Sequence, residues 1–226
     1  MEARTLLSDE LKRLRQEVLA MATMAEENLG KALSALRGRD SRLAGEVLDS
    51  DAEVDALQIK IEDDTAMLIA TQQPVARDLR ETVTILKLAD NIERIGDHAV
   101  HLARAARRLV KKDEAPFDAQ ASGMQASLEK MARTGQVMLR AAIEAYMKQN
   151  AQAARDAAAM DNEIDREHRE LTEGLLKVMK KNPGMVKSAY KILHASSQLE
   201  RLGDHITNIC EAIVYMTEGK REELNG

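Results

Sequence analysis

Apolar side chains along this chain recur at steps of three and four over long stretches. Ile85, Leu88, Ile92, Ile95, Ala99, Leu102, Ala106 and Leu109 keep that rhythm without a fault, and so do Leu199, Leu202, Ile206, Ile209, Ile213 and Met216. Such a period gathers one apolar stripe on one face of an α-helix. Polar breaks divide the chain into six helical tracts, at about 8–37, 41–72, 76–111, 118–148, 151–181 and 185–217. Ser8, Asp40, Asp118 and Asn150 are placed to cap helix N-termini, and Pro74, Pro116 and Pro183 each fall in a connection, where a missing N–H does least harm. Tracts of this length joined by short turns must run antiparallel, so the pattern predicts two up-down-up bundles of three helices. The segment KKDEAPFD at 111–118 is the linker candidate, giving domains over 1–113 and 114–226.

Composition supports an all-α fold. Aromatic residues make up 2% of the 226 residues, with 3 Pro and 11 Gly, while Ala, Leu, Glu, Lys and Arg are abundant. A net charge of −5 offers no broad basic field for a phosphate backbone, and so few aromatics leave no stacking platform for single strands. Nucleic acid is therefore not an expected partner. Cys210, the single cysteine, cannot form an internal disulfide, and no apolar run is long enough for a signal peptide or a membrane span. A reducing, cytoplasmic setting is expected. The basic stretches RRLVKK at 107–112 and KVMKK at 177–181 sit at predicted helix C-termini, where cations complement the helix dipole.

A repeat then changes the picture. NIERIGDHAV, from Asn91, returns as QLERLGDHIT, from Gln198, so that Glu93, Arg94, Gly96, Asp97 and His98 match Glu200, Arg201, Gly203, Asp204 and His205. DAEVD at 51–55 likewise has the pattern of DNEID at 161–165, and each is followed by a connection proline. The offsets, 110 residues for the first motif and 107 for the second, differ by only three over a whole helical hairpin, which favours internal duplication of the bundle.

The connection prolines serve as rulers. Asp55 stands 19 residues before Pro74 and Glu93 19 after it, while Asp51 and Asp97 stand 23 before and 23 after. At helical rise each pair lies at one height, about 28 or 35 Å from the turn, on adjacent antiparallel helices. In the second half Asp165 and Glu200 lie 18 and 17 residues from Pro183, and Asp161 and Asp204 lie 22 and 21. Relative to the apolar stripes, Glu93, Asp97, Glu200 and Asp204 occupy heptad positions b and f, on the outer surface of each bundle. For any single pair a solvated face is the plain account, since acids this abundant give about six i,i+4 acid pairs by composition alone. Four pairs in matching registers, with like charges gathered where they would destabilise a lone helix, point instead to two cation sites. Oxygen-only ligands suit magnesium, calcium, manganese or iron, whereas zinc would want a histidine or cysteine; His98 and His205, next to the motif acids, are accessory candidates. Arg94 and Arg201 are placed to neutralise neighbouring carboxylates. Gly96 and Gly203 each cost a helix about 1 kcal/mol relative to alanine, so two at one motif position suggest close approach by a neighbouring helix, a ligand or a partner. His101, His168 and His194 have no repeat mates and read as ordinary histidines.

With the duplicated ERIGDH and ERLGDH, the DAEVD and DNEID helices and the stretch TQQPVARDLR at 71–80, the chain closely resembles the PhoU family of phosphate-signalling regulators, essentially end to end. The family's repeated E/D-x-x-x-D motif maps onto Glu93 and Asp97 and onto Glu200 and Asp204, with companion acids at Asp51, Asp55, Asp161 and Asp165. The resemblance implies tandem three-helix bundles, a homodimer, and in some members multinuclear iron or zinc clusters on the bundle surface. It also implies a cytoplasmic negative regulator, peripheral at the inner face of the membrane, that contacts the phosphate ABC transporter ATPase and the phosphate-sensing histidine kinase and restrains uptake and starvation signalling when phosphate is plentiful. The residues suit an adaptor rather than an enzyme: no nucleotide loop, no DNA-reading module and no nucleophile with a recognisable base. Two other classes stay open, a metal-dependent phosphoester hydrolase, against which stands the lack of Glu-x-x-His pairs, and a structural helical oligomeriser with bare acidic faces.

Overall fold

The computed structural model describes residues 2–38, 40–110 and 119–224, with side chains placed over 5–38, 40–107 and 123–224. Asp118, Pro116, the segment KKDEAPFD and the side chain of Leu109 lie outside the described residues. Among the described residues there is no strand. Helix α1 spans Glu2–Gly38, α2 Ser41–Gln72, α3 Ala76–Val110, α4 Ala119–Lys148, α5 Ala151–Ala158, α6 Asp161–Lys181 and α7 Val186–Glu218, with a 3-10 turn at Pro183–Met185.

Local chemistry sets most of these limits. Asp40 Oδ1 accepts from the N–H groups of Arg42 and Leu43 at 2.8 and 3.1 Å, and Asn150 Oδ1 accepts from Ala153 N–H at 3.1 Å. Each satisfies N–H groups that a helix start leaves unpaired. Ser8 does not cap a helix. It lies inside α1, because the preceding EARTLL holds no glycine or proline to stop the helix and Leu7 packs on the core. The fifth tract is broken in two: after α5 the chain tightens, with Met160 N–H donating to Ala157 O and Glu163 N–H to Met160 O, both spaced by three residues, and α6 starts afresh at Asp161.

Helices α1, α2 and α3 pack on one another, and so do α4, the broken α5–α6 rod and α7. These are the two three-helix bundles. Both apolar stripes are buried: Ile85, Leu88, Ile92, Ile95, Ala99, Leu102 and Ala106 in the first, and Leu199, Leu202, Ile206, Ile209, Ile213 and Met216 in the second. The bundles are joined side by side, α3 lying on α7 and α1 on α4. Helices α3 and α7 run antiparallel in one fixed register. Thr84 Oγ1 donates to Ala212 O at 3.2 Å and Arg80 Nε to Met216 O at 3.3 Å, so a step of four back along α3 is a step of four forward along α7. The same register continues into the repeated motifs, where Asn91 meets His205 and His98 meets Gln198.

Candidate functional site

Each repeated motif presents two faces of its helix. One is the acid face. Asp51 and Asp55 on α2 and Glu93 and Asp97 on α3 come together at the surface of the first bundle. Burial first, then Asp55 and Asp97, push the Asp51 carboxyl above its ordinary range. Burial, then Asp97, do the same to Glu93, with Asp55 adding to the effect. Those influences pair the residues as their distances from Pro74 require. Arg94 answers part of the charge, its guanidinium 3.4 Å from Glu93 and 3.5 Å from Asp97. Glu93 Oε2 is nevertheless enclosed without a hydrogen-bond donor.

The second bundle repeats the arrangement with three acids rather than four. Burial and then Asp204 push the Glu200 carboxyl up, Asp165 adds to this, and His168 works against it. Asp204 is pushed up by burial and by Asp165. Asp161 is not brought onto this face. It is only 2% exposed, and its Oδ2 accepts from the Thr207 hydroxyl at 3.3 Å. Starting α6 at Asp161 turns the carboxylate inward against α7, whereas α2 runs unbroken through Asp51 and leaves that residue on the surface.

This difference accounts for one of the two motif glycines. A Cβ at position 203 would stand 2.0 Å from Asp161 Oδ1 and 3.2 Å from Ile164 Cδ1. No real Cβ contact is that short. At Gly96 the nearest atom is Val54 Cγ1 at 3.5 Å, an ordinary contact. Val54 and Ile164 hold equivalent places in the repeat, so the helix approach is shared and the buried carboxylate is peculiar to the second bundle.

The other face of each motif forms the seam between bundles. His98 Nδ1 donates to Gln198 Oε1 at 2.9 Å, and His205 Nδ1 donates to Asn91 Oδ1 at 3.0 Å, with the two rings 5.4 Å apart. Asn91 and Gln198 are the same position in the two repeats, so the pairing is reciprocal about a local two-fold axis. Burial pushes both imidazoles below the ordinary histidine range, which keeps them neutral at pH 7. The accessory candidates His98 and His205 thus lie in the seam. A signal was present in the sequence: in each repeat an amide stands one heptad before the motif histidine. His168, read as ordinary, hydrogen-bonds through Nδ1 to the buried Ser196 hydroxyl, and it follows Asp165 by three residues. Asp-x-x-His is the shorter relative of the Glu-x-x-His pair that the sequence lacks.

For a bound ion, the oxygen donors and the gathered carboxylate charge of these faces, which Arg94 offsets only in part, fit a divalent cation, as does the buried Glu93 Oε2, which accepts no hydrogen bond. The fit does not extend to a preformed shell, because among the described residues no three His, Cys, Asp or Glu side chains converge on one point. Arg77 and Asp78 of the TQQPVARDLR stretch line a cleft of about 490 Å³ with Arg15, Glu81 and Lys148, and a second cleft of about 380 Å³ lies between α1 and α4. Neither cleft includes an acid of the repeated motifs.

Comparison with known proteins places these features. The family model described as PhoU domain matches residues 18–106 and 128–213. The chain is 32% identical over 223 residues to a phosphate-specific transport system accessory protein PhoU homolog of Clostridium acetobutylicum, covering 98% of this chain and 99% of that one. It is 34% identical over 216 residues to the homolog of the same description from Caulobacter vibrioides, covering 96% and 90%. The crystal structure of PhoU from Pseudomonas aeruginosa superposes with a TM-score of 0.88 at 30% identity, over 94% of this chain and 99% of that one. That of the phosphate transport system regulatory protein PhoU from Streptococcus pneumoniae gives 0.86 at 29%, over 96% and 99%.

Proposed function

Because the chain belongs to the PhoU family, we propose that it is the accessory regulator of a high-affinity phosphate ABC transporter, restraining uptake and phosphate-starvation signalling by contacting the transporter ATPase and a phosphate-sensing histidine kinase. The observation that carries this reading is end-to-end similarity to relatives described as phosphate-specific transport system accessory proteins; the two acid faces, which lie outside both clefts, are consistent with it. No helix among the described residues is long and apolar enough to cross a membrane. In this reading the chain meets the membrane assembly peripherally, from the cytoplasmic side. A homodimer is the working assembly.

In the same reading the acid faces hold divalent cations, iron, zinc, magnesium or manganese, with Asp51, Asp55, Glu93 and Asp97 as donors in the first bundle and Asp165, Glu200 and Asp204 in the second. A bound ion would relieve the mutual repulsion of these carboxylates and stiffen each hairpin for docking. The test is affinity capture of the full chain from native membranes at physiological concentration, with and without added metal. Recovery of the transporter ATPase or the sensor kinase is expected. Recovery of neither under both conditions refutes the regulatory reading.

A further inference from the structure

The acid faces leave the TQQPVARDLR stretch without a task, yet the cleft of about 490 Å³ beside it joins the two bundles. Arg15 on α1 and Arg77, Asp78 and Glu81 on α3 line it from the first bundle, and Lys148 and Gln149 at the end of α4 line it from the second. Three cations thus meet two carboxylates. One carboxylate is already answered: Glu81, whose side chain is only 3% exposed, is paired with Arg15 Nε, which leaves the two terminal nitrogens of that guanidinium for another acceptor. Arg77 is paired with no carboxylate among the described residues, and it donates to Gln149 Oε1 across the bundle boundary. Lys148 is paired with Glu144 one turn back on the exposed surface, a weak contact that it can exchange for a ligand. Two further features belong to the same place. The Tyr146 hydroxyl, buried without a hydrogen-bond partner, is acted on by the charges of Glu81 and Arg15. Ala76, just before Arg77, holds φ 49° although it is not glycine and ends no helix, and strain of this kind gathers at ligand clamps.

The cations call for an anion, and guanidinium forks match the oxygens of a tetrahedral one. Asp78 narrows the choice. A carboxylate accepts hydrogen bonds and donates none, so it repels an oxyanion that has no proton to offer. Just above neutral pH sulfate and the dianion of a phosphomonoester have none, whereas hydrogen phosphate keeps one. Deepening the regulatory reading above, and resting on it for the meaning of the signal, we propose that the cleft binds free inorganic phosphate. Arg15, Arg77 and Lys148 hold its oxygens, and Asp78 accepts a hydrogen bond from its remaining P–OH. Because those residues come from both bundles, the bound ion ties one bundle to the other.

The test is isothermal titration calorimetry of the full chain, dialysed free of anions, with inorganic phosphate, sulfate and adenosine monophosphate at slightly alkaline pH. Phosphate should bind, with sulfate and adenosine monophosphate about tenfold weaker or more. Arg77 and Lys148 are exposed, so Arg77→Ala and Lys148→Ala should keep the fold by circular dichroism and each weaken phosphate by about tenfold. Arg133→Ala, which removes an exposed arginine of α4 outside the cleft, should change nothing. Asp78→Asn should lose the discrimination and bind sulfate as tightly as phosphate, since an amide can also donate. Equal binding of sulfate and phosphate by the wild-type chain, phosphate affinity unchanged in both Arg77→Ala and Lys148→Ala, or no phosphate binding at millimolar concentration each overturns the proposal. None of these results touches the regulatory reading, which capture of the transporter ATPase or the sensor kinase from native membranes tests independently.

Discussion

Replacing each motif glycine by alanine separates the two repeats. Both substitutions gain helix propensity, about 1 kcal/mol. At position 96 the new methyl meets only Val54 Cγ1 at 3.5 Å, so Gly96→Ala should stabilise the protein by roughly 0.5–1 kcal/mol. At position 203 the methyl would stand 2.0 Å from Asp161 Oδ1 and 3.1 Å from Asp161 Cγ, and the carboxylate must move. Overpacking of a close-packed site costs about 1–3 kcal/mol, and taking Asp161 from the Thr207 hydroxyl forfeits a charge-assisted hydrogen bond worth about 1.5–3 kcal/mol. After the propensity gain, Gly203→Ala should destabilise by roughly 2–4 kcal/mol. Urea denaturation monitored by circular dichroism reads the difference directly, and thermal melts should show shifts of opposite sign, at about 2–4 °C per kcal/mol for a chain of this size. The double variant Gly203→Ala with Asp161→Ala should recover much of the loss, since the clash is removed with the carboxylate. Equal stability of the two glycine variants would refute the buried position of Asp161.

Three further outcomes follow from other contacts. Gln198→Leu leaves the buried His98 Nδ1–H without its acceptor and should cost about 1–3 kcal/mol, while adding His98→Leu should recover part of that loss; an additive result by denaturant titration would argue against the reciprocal seam. Gln73 ends α2 at φ 48°, a left-handed conformation that favours glycine, so Gln73→Gly should raise stability by about 0.5–1 kcal/mol in the same assay, and a loss would contradict that cap. Glu163 and Glu167 are held below their ordinary value of 4.5 by hydrogen bonds from Lys130. A depressed carboxyl stabilises the fold above its unfolded value and ceases to do so as pH falls through its folded value, so Lys130→Met should flatten the stability profile from about pH 4.5 downward and leave its shape at pH 7–8 unchanged.

What the sequence made legible was whatever depends on a single helix. The apolar period fixed which face of α3 and α7 is buried, the capping residues fixed two helix starts, and the distances from Pro74 put Asp55 beside Glu93 and Asp51 beside Asp97. The seam was less legible because it depends on which helix meets which. Asn91 and Gln198 look like ordinary polar positions until α3 is laid antiparallel on α7, when each becomes the acceptor for the other repeat's histidine. The fate of Asp161 was hidden for a different reason. Reading the second repeat by analogy with the first carries over every position that both helices share, and α2 is continuous where its counterpart is not. The run AAAM at 157–160 contains only good helix formers, so propensity gives no notice of the break. The one local sign was Gly203, whose missing side chain makes room for a carboxylate that the periodicity assigns to the surface. Gly96 sits at the same motif position without that need. A glycine repeated for one reason would be equally crowded in both copies. The unequal crowding is what shows that the duplicated faces have diverged.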